Sequence, residues 1–401
     1  MLTSLFSGLS GLNANGTALS VIGNNIANVN TVGFKSSEVS FEDILGAALP
    51  AGQVGQGVSV GSITAAFTQG AFENTSSATD LAISGNGFFV VNDGTRPLYT
   101  RSGHFIFDAN GNLINSQKMV LQGWLTNPAG VIDPTSQPSN LSLGSAVSPP
   151  KAATSFNLGL NLDAKAAEGD TFSPSIDVFD SKGGKVTLTL ELTFDATAKQ
   201  WNWTAKSSDG ETTDKGSLKF DANGQLTDLV DEPTIQITKL KSGANDLTLT
   251  WDLLDATGHS NGSATSFASA SVVNTQTQDG FGAGSLQGVS VDKNGVISGV
   301  FSNGQNRTLG QVALADFRSP WGLGNLGEGL YGASRDSGEA AIGPASSGGR
   351  GSISSGALEL ANVDLAREFV KMITAQRGFQ ANSRVITTTD EVLTEVVNLK
   401  R

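Results

Sequence analysis

The chain has 401 residues, a net charge of −12 and no cysteine, so it is long enough for two to four domains and cannot form disulfides, thiolate metal sites or a cysteine nucleophile. The negative charge and the lack of a basic stripe predict that nucleic acid is not a partner. No basic residue precedes an apolar block at the N-terminus and no apolar run reaches about 18 residues, so we expect no membrane insertion and no cleaved signal peptide.

Apolar and small residues recur at the N-terminus at alternating spacings of three and four, which is typical of a helical seam. The seam consists of Leu2, Leu5, Leu9, Leu12, Gly16, Leu19, Gly23 and Ile26. Residues 1–34 contain six asparagines, five glycines and no charged side chain. Asparagine and glycine are poor helix formers, so such a helix would not be stable alone in water. Uncharged polar groups can be surrounded by protein at a lower cost than charges, and we predict that residues 1–33 form a helix of an inner domain.

Two segments rich in glycine and serine, residues 34–70 and 343–357, predict flexible linkers. Between them, near-strict alternation of apolar residues predicts antiparallel strands. We expect a core β domain built from residues 71–144 and 281–342, into which residues 145–280 are inserted as an outer β domain.

A turn sequence recurs three times, as DANGNL from Asp108, DANGQL from Asp221 and DKNGVI from Asp292. Asn-Gly favours hairpin turns because both residues tolerate positive φ. A calcium loop is the sharper alternative, but its glycine would come later and a bidentate glutamate would follow. The three sequences therefore predict hairpins.

The C-terminal segment, residues 358–401, repeats apolar residues at strict seven-residue intervals. These residues are Leu358, Leu365, Met372, Phe379, Ile386 and Leu393, while the positions four residues after each are mixed. The pattern alone leaves open an amphipathic helix on a globular core or a coiled-coil seam, and we favour the seam. The predicted fold is α+β and multidomain, with N- and C-terminal helices paired as a coiled-coil-like unit and two mainly antiparallel β domains in between. Since ordering both ends costs backbone entropy, we expect them to be disordered in the monomer and to fold on assembly.

The sequence offers no constellation of catalytic residues. It has two histidines, His104 and His259, and no metal-ligand cluster uses them. Two G-x-S-x-G matches contain Ser59 and Ser260, but no histidine follows Ser260 and no helix pattern follows Ser59. We predict a protein that is not an enzyme and that uses no cofactor or metal.

The segment NNIANVNTVGFK, residues 24–35, resembles the N-terminal signature of bacterial flagellar rod, hook and hook-associated proteins, and the segment from Glu359 onward is similar to the C-terminal half of that pattern. The signature residues are Asn24, Asn25, Ile26, Ala27, Asn28, Asn30, Thr31, Gly33 and Phe34. Within this family of axial proteins, residues 288–340, the chain length and the large insert favour hook proteins over the shorter distal rod proteins. The resemblance is specific over residues 1–110 and 284–401 and loose in the insert.

The resemblance implies a structural subunit that polymerises into a curved, flexible tube and transmits motor torque from rod to filament. It implies that the terminal helices line the inside of the tube, and there we expect cohesion from Leu5, Leu9, Leu12, Leu19, Ile26, Leu358, Leu365, Met372, Phe379, Ile386 and Leu393. It also implies export in unfolded form through the flagellar type III apparatus to an extracellular position. The implied partners are further copies of the chain and the distal rod, hook cap and hook-filament junction proteins.

Two alternatives remain open. One is another flagellar axial protein, such as a distal rod or junction protein. The other is a secreted β-rich adhesin, in which Trp201 and Trp203 would be the binding aromatics. Their spacing places both on one face of a strand, which is more typical of core residues.

Overall fold

The computed structural model describes residues 2–45, 48–49, 52–53, 55–127, 130–144, 146–227, 229 and 231–398. The chain divides into two compact units. Unit 1 comprises Met1–Ser145, Gly288–Gly299 and Arg307–Arg401, and unit 2 comprises Ala146–Gln287 and Val300–Asn306. The chain therefore leaves unit 1 to build unit 2 and then returns.

Unit 1 begins with helix α1 (Leu2–Ala27). The strands that follow it are β1 (Ser37–Asp43), β2 (Ala48–Leu49), β3 (Gly52–Gln53), β4 (Val58–Ala65), β5 (Phe72–Asn74), β6 (Leu81–Ser84), β7 (Phe88–Asn92), β8 (Pro97–Thr100), β9 (Ile106–Phe107), β10 (Leu113–Ile114), β11 (Val120–Leu125) and β12 (Ser139–Asn140).

Unit 2 follows with short and medium strands. They are β13 (Val147–Ser148), β14 (Ser155–Asn161), β15 (Thr171–Phe172), β16 (Ser175–Phe179), β17 (Lys185–Asp195), β18 (Gln200–Ser207), β19 (Lys215–Phe220), β20 (Leu226–Thr227), β21 (Thr234–Ile237), β22 (Leu247–Trp251), β23 (Ala264–Thr265) and β24 (Val272–Gln278).

The returning chain completes unit 1. Strands β25 (Gly284–Val291), β26 (Val296–Phe301) and β27 (Asn306–Asp316) contain residues of both units. They are followed by a 3₁₀ turn (Pro320–Gly322), β28 (Gly324–Gly327), β29 (Leu330–Gly332), β30 (Ala341–Pro344), β31 (Ser352–Ser355), β32 (Ala357–Glu359) and helix α2 (Leu365–Asn398). Over the described residues, neither helix has a sufficiently long apolar run to cross a membrane.

The segment between α1 and the β core is not a free linker. Strands β1 and β4 pair as an antiparallel hairpin in register Ser37↔Ala65, with a bulge after Ser40. The prediction of a flexible linker over 34–70 is therefore wrong for these strands, because β-branched and aromatic residues alternate on both sides of the glycine-rich tip. Residues 46–47, 50–51 and 54 of that tip lie outside the described residues.

The main sheet of unit 1 buries both of its faces. Six of its strands follow one another in the order β27-β11-β7-β8-β29-β28, and these pairs are antiparallel. Strand β7 alternates between two cores: Phe89 and Val91 pack in a large aliphatic cluster, while Phe88 and Val90 pack in a cluster that also holds Trp124. A continuous apolar run such as FFVV is typical of a strand covered on both sides.

Unit 2 is built from two sheets around one core. The sheets have strand orders β21-β22-β14-β23, with β24 beside β14, and β15-β17-β18-β19-β20, with β16 beside β17. Trp201 and Trp203 lie on one face of β18 and are buried in this core together with Trp251 of β22. They are core residues and form no aromatic surface, so the observation that would have favoured an adhesin is missing.

The three repeated turns close hairpins, as predicted. Strand pairs β9–β10, β19–β20 and β25–β26 flank them. In the first, the Asp108 carboxylate accepts hydrogen bonds from the backbone N–H of Asn110 and Asn112, both at 2.8 Å. Only the glycine of each turn has positive φ, for example +78° at Gly111, so the aspartate side chain shapes the turn.

The segment before α2 also differs from the prediction. Strand β31 pairs with β6, and β32 pairs with β5, so residues 343–357 are not a flexible linker. Leu358 lies on β32 and not on a helix. The helix begins at Leu365 because the Asp364 carboxylate caps it, accepting hydrogen bonds from the N–H of Ala366 (2.9 Å) and Arg367 (3.2 Å).

Candidate self-assembly surface on the terminal helices

Helices α1 and α2 pack side by side in opposite directions within unit 1. Residue numbers rise along α1 as they fall along α2, in the neighbouring pairs Gly8 with Ile386, Gly11 with Asn382, Asn15 with Gly378, Ile22 with Ala375, and Asn25 with Glu368. A Cβ added at Gly8 would lie 3.2 Å from Ile386 Cγ1, and one added at Gly11 only 2.6 Å from Asn382 Nδ2. Glycine therefore lets the two backbones approach closely along the N-terminal half of α1.

The buried face of α1 is displaced by one residue from the predicted leucine seam. The residues buried against α2 and its surroundings are Gly8, Gly11, Ala14, Ala18, Ile22 and Asn25. Of the large apolar residues in the predicted seam, Leu9 is exposed, and Leu5, Leu12, Leu19 and Ile26 are half-buried. Of its glycines, Gly16 is half-buried and Gly23 is exposed. Both stripes have the same spacing of three and four, and the stripe of smaller residues permits the closer contact. The leucine seam is therefore not the face of α1 that packs against α2, and its part in self-assembly stays a prediction.

The predicted apolar repeat of α2 is only partly buried, although Ile386 lies against Gly8 and Met372 packs against the Ala18, Ile22 and Ala375 cluster. Met372, Phe379, Ile386 and Leu393 are half-buried, while Leu365 is exposed. The fully buried residues of α2, Glu368 and Ala375, lie three residues after Leu365 and Met372, and not four residues after them. Phe369, which lies four residues after Leu365, is 50% exposed.

Large apolar side chains on both helices face solvent in the single chain. On α1, Phe6 is 60% exposed and Leu9 44% exposed. On α2, the exposed apolar residues are Leu365, Phe369, Val370, Ile373, Val385, Val392 and Val396. Apolar surface concentrated on two adjoining helices is typical of a protein–protein interface.

Asn25 joins three elements at the C-terminal end of α1. Its Nδ2 donates to the backbone oxygen of Ser37 (2.9 Å) and to Glu368 Oε2 (3.1 Å), and its Oδ1 accepts the N–H of Ser37 (2.9 Å). The amide is buried and uses donor and acceptor together, which neither aspartate nor leucine could do. Asn25 therefore fixes α1 to β1 and α2.

The other members of the 24–34 signature serve the turn out of α1. The Asn28 side chain donates to the Asn24 oxygen (3.0 Å), and the Thr31 hydroxyl donates to Asn28 Oδ1 (3.0 Å). Ile26 and Phe34 are half-buried, whereas Asn24, Ala27 and Asn30 are exposed. The helix therefore ends at Ala27, before the predicted limit of residue 33, because these short polar side chains favour a turn.

Gly33 is required by both conformation and space. Its φ is +70°, and its N–H donates to the Glu359 backbone oxygen at 2.7 Å. A Cβ at this position would lie 2.5 Å from the backbone nitrogen of Ser102. The glycine lets the chain leave the helix directly beside the β core.

A cluster of buried charges follows, which sequence reasoning missed. Lys35 Nζ lies 2.7 Å from Glu359 Oε1, and Arg101 Nη1 lies 3.3 Å from Glu359 Oε2. Neither Lys35 nor Glu359 has exposed side-chain surface. Burial lowers the pKa of Lys35 and of Arg101, and the Glu359 carboxylate partly offsets this for both. The signal in the sequence was Lys35 itself, the first charge after 34 uncharged residues.

The remaining bonds of this cluster go to backbone groups. Lys35 also donates to the Thr68 oxygen (2.7 Å), Arg101 Nη2 donates to the Gly85 oxygen (2.8 Å), and Glu359 accepts the N–H of Gly70 (2.9 Å). The cluster thus joins the chain leaving α1, the β core and the strand that leads to α2. It ties both helices to the β core of unit 1.

Family models match four parts of the chain. They are described as the flagella basal body rod protein (residues 5–35), the flagellar hook protein FlgE/F/G D1 domain (82–161), the flagellar basal body protein FlaE D2 domain (160–281) and the flagellar basal body rod FlgEFG protein C-terminal region (354–399).

Curated relatives match over the full length. The flagellar hook protein FlgE of Borreliella burgdorferi is 38% identical over 100% of both chains, and that of Escherichia coli K12 is 36% identical over 98% of both. Among solved structures, the Helicobacter pylori flagellar hook protein FlgE2 is 14% identical, with a TM-score of 0.44, covering 70% of this chain and 98% of that one.

The helix pair, its exposed apolar residues and the sequence matches define a structural protein of the bacterial flagellum, not an enzyme. Within that class, the chain belongs to the flagellar hook protein family, and the rod and adhesin alternatives are not supported.

Proposed function

We propose that this chain is an extracellular subunit that polymerises through its terminal helices into a curved, flexible tube, which transmits motor torque from the flagellar rod to the filament. The observation that carries the proposal is the exposed apolar surface of α1 and α2, including Phe6 and Val370, which are 60% and 61% exposed. In water this surface is unfavourable, and other subunits would cover it.

The two helices would act as one coiled-coil-like unit that lines the inside of the tube. Their mutual contact uses Gly8, Gly11 and Ala18 on α1 together with Ile22, whereas the exposed apolar side chains such as Phe6 and Phe369 remain available to neighbouring subunits. Among the residues predicted for cohesion, Leu9 and Leu365 are the exposed ones and would make contacts between subunits. Contacts repeated with a fixed displacement do not close on themselves and generate a helical filament.

Flexibility of the tube would come from contacts between subunits and not from loose connectors within one. The segment after α1 forms the β1–β4 hairpin, and the segment before α2 pairs with the β core through β32. Glu359 of β32 also pairs with Lys35, which leads out of α1. Bending would therefore occur where the outer parts of neighbouring subunits move against each other.

Export and partners are further parts of the proposal. The proposal for export is based on the family and on the weak helix propensity of α1, which would keep the ends unfolded until assembly. The chain would then leave the cell unfolded through the flagellar type III apparatus, without cleavage of a signal peptide. The distal rod, hook cap and hook-filament junction proteins would contact it at the ends of the tube.

The test is electron microscopy of the purified chain under polymerising conditions. We expect curved tubes from the natural sequence and none from Phe369→Asp, because a charge would enter the apolar surface of α2. Phe267→Asp is the matched control, since Phe267 is 48% exposed but belongs to unit 2. Straight tubes, or no tubes from the natural chain, would contradict the proposal. Equal loss in both variants would contradict the role of the helices.

A further inference from the structure

An uncharged groove lies beside the N-terminal half of α1. It has a volume of about 580 Å³. Phe6, Leu9 and Ile44 supply its apolar surface, and Thr3, Ser10, Asn13 and Gln56 supply polar groups. Among the described residues that line it, none carries a charge. An occupant would therefore need an apolar, uncharged face, because a charge placed there would lose its water without gaining an ionic partner.

A second apolar surface lies on α2. Leu365, Phe369, Val370 and Ile373 are all exposed, and their spacings of four, one and three residues place them on one face of two helical turns. We call this face the α2 patch. The large side chains of the α2 patch project from the helix and could fill the groove beside α1.

The groove and the α2 patch cannot meet within one chain. Because the helices are antiparallel, Gly8, next to Leu9, contacts Ile386, whereas Glu368, next to Phe369, bonds Asn25. The two surfaces are therefore separated along the helix axis by some 16 residues of α1, roughly 24 Å at 1.5 Å per residue. Only a second copy, shifted along the axis, can bring them together.

We propose that the α2 patch of one subunit inserts into the groove of another, so that each copy both offers and receives a helix face. This rests on the proposed function, since it names the contact by which the inner helices would assemble. The contact is between two different surfaces, so it leaves one groove and one patch free at opposite ends of any assembly and can be repeated without limit.

The test uses single cysteines, for which the chain without cysteine gives a clean background. Leu9→Cys and Phe369→Cys proteins are mixed, polymerised, checked by electron microscopy and oxidised. A disulfide requires Cα atoms within about 7 Å, so it reports direct contact. We expect covalent heterodimers from the polymer. The control is a mixture of Leu9→Cys with Val392→Cys, in which the second cysteine replaces a valine of similar exposure at the other end of α2. The control should give several-fold fewer heterodimers.

The outcomes separate this inference from the proposed function. Tubes without the Leu9–Phe369 heterodimer would overturn the inference while the tube-forming function stands. Heterodimers mainly with Val392→Cys would also overturn it, since the groove would then contact the far end of α2. If Leu9→Cys prevents assembly, the pair Asn13→Cys and Ile373→Cys places the cysteines on the rim of the groove and on the same α2 patch. Tubes from that pair without heterodimers would overturn the inference equally.

Discussion

The Lys35 ammonium and the Glu359 carboxylate lie 2.7 Å apart with no exposed side-chain surface, and Arg101 shares the same carboxylate. One anion thus serves two buried cations. Removing this anion would leave two cations in the interior without an ionic partner. That change destabilises a fold far more than replacing the whole group of charges by apolar residues.

Glu359→Gln is therefore expected to destabilise unit 1 by about 3–5 kcal/mol. Urea unfolding followed by circular dichroism would measure the loss. Adding Lys35→Met should recover part of it, because one of the two unpaired cations is then absent. Glu211→Gln, which removes the exposed partner of Lys239, should leave the unfolding midpoint nearly unchanged. Equal effects of Glu359→Gln and Glu211→Gln would contradict the importance of burial.

Asn25→Ala is expected to loosen both helices from the β1 strand. It removes three hydrogen bonds and leaves Glu368 without one of its partners, at a cost of about 1–3 kcal/mol. Trypsin cleavage at Arg367 and Lys371 in the assembled protein should become faster. Asn24→Ala is the matched control, since that side chain is exposed. Identical cleavage of the natural protein and Asn25→Ala would rule out this anchoring role.

Gly33→Ala and Gly23→Ala should change stability in opposite directions. At Gly33, the positive φ and the Ser102 backbone nitrogen 2.5 Å from an added Cβ predict a loss of more than about 1 kcal/mol. At Gly23, an added Cβ meets nothing within 4 Å, and alanine would raise helix propensity by up to about 1 kcal/mol. Thermal melts of the two variants in the assembled protein, where α1 is folded, provide the comparison. A stabilising Gly33→Ala would contradict the left-handed conformation of Gly33 in the turn after α1.

Asp279 should make unit 2 less stable in acid. Burial raises its pKa, but hydrogen bonds from Ser155, Thr154 and Lys151 outweigh this and hold the pKa well below its usual value. A lowered carboxyl pKa contributes stability that is complete above the unfolded value of about 4 and is lost as the pH falls below it.

Asp279→Asn should therefore flatten the decline of stability below about pH 4. Fluorescence is a suitable measurement because Trp201, Trp203 and Trp251 all lie in the core of unit 2. Asp231→Asn, at an exposed position of the same unit, should keep the acid dependence of the natural chain. If the stability of Asp279→Asn falls below pH 4 as steeply as that of the natural chain, other carboxyl groups cause the loss.

Local chemistry explains what could be predicted in the β units. Alternating residues such as Val186, Leu188 and Leu190 are buried as expected, because a strand turns every second side chain to the same face. The Asp-x-Asn-Gly turns were also predictable, since their aspartate bonds within six residues of chain. Glycine and serine content was misleading at 343–357, because composition does not show which partner strands are available.

The helices show where periodicity stops being informative. A spacing of three and four fits both the leucine stripe with Leu9 and the stripe with Gly8, and hydrophobicity favours the first. Close approach to Ile386 and Asn382 selects the second, since only glycine leaves room for them. The start of α2 was missed for a related reason: Leu358 continues the seven-residue repeat, but its backbone pairs with Glu73 of β5.

The sequence by itself determined the family, the helical ends, the strand alternation and the turns, because each depends on residues that are close together in the chain or on a motif written within it. The tertiary structure decided which face of α1 meets α2, how Asn25 reaches Glu368, and that Lys35 and Arg101 share Glu359. Those contacts join residues hundreds of positions apart, and their energies depend on distance and burial, which only the folded chain provides.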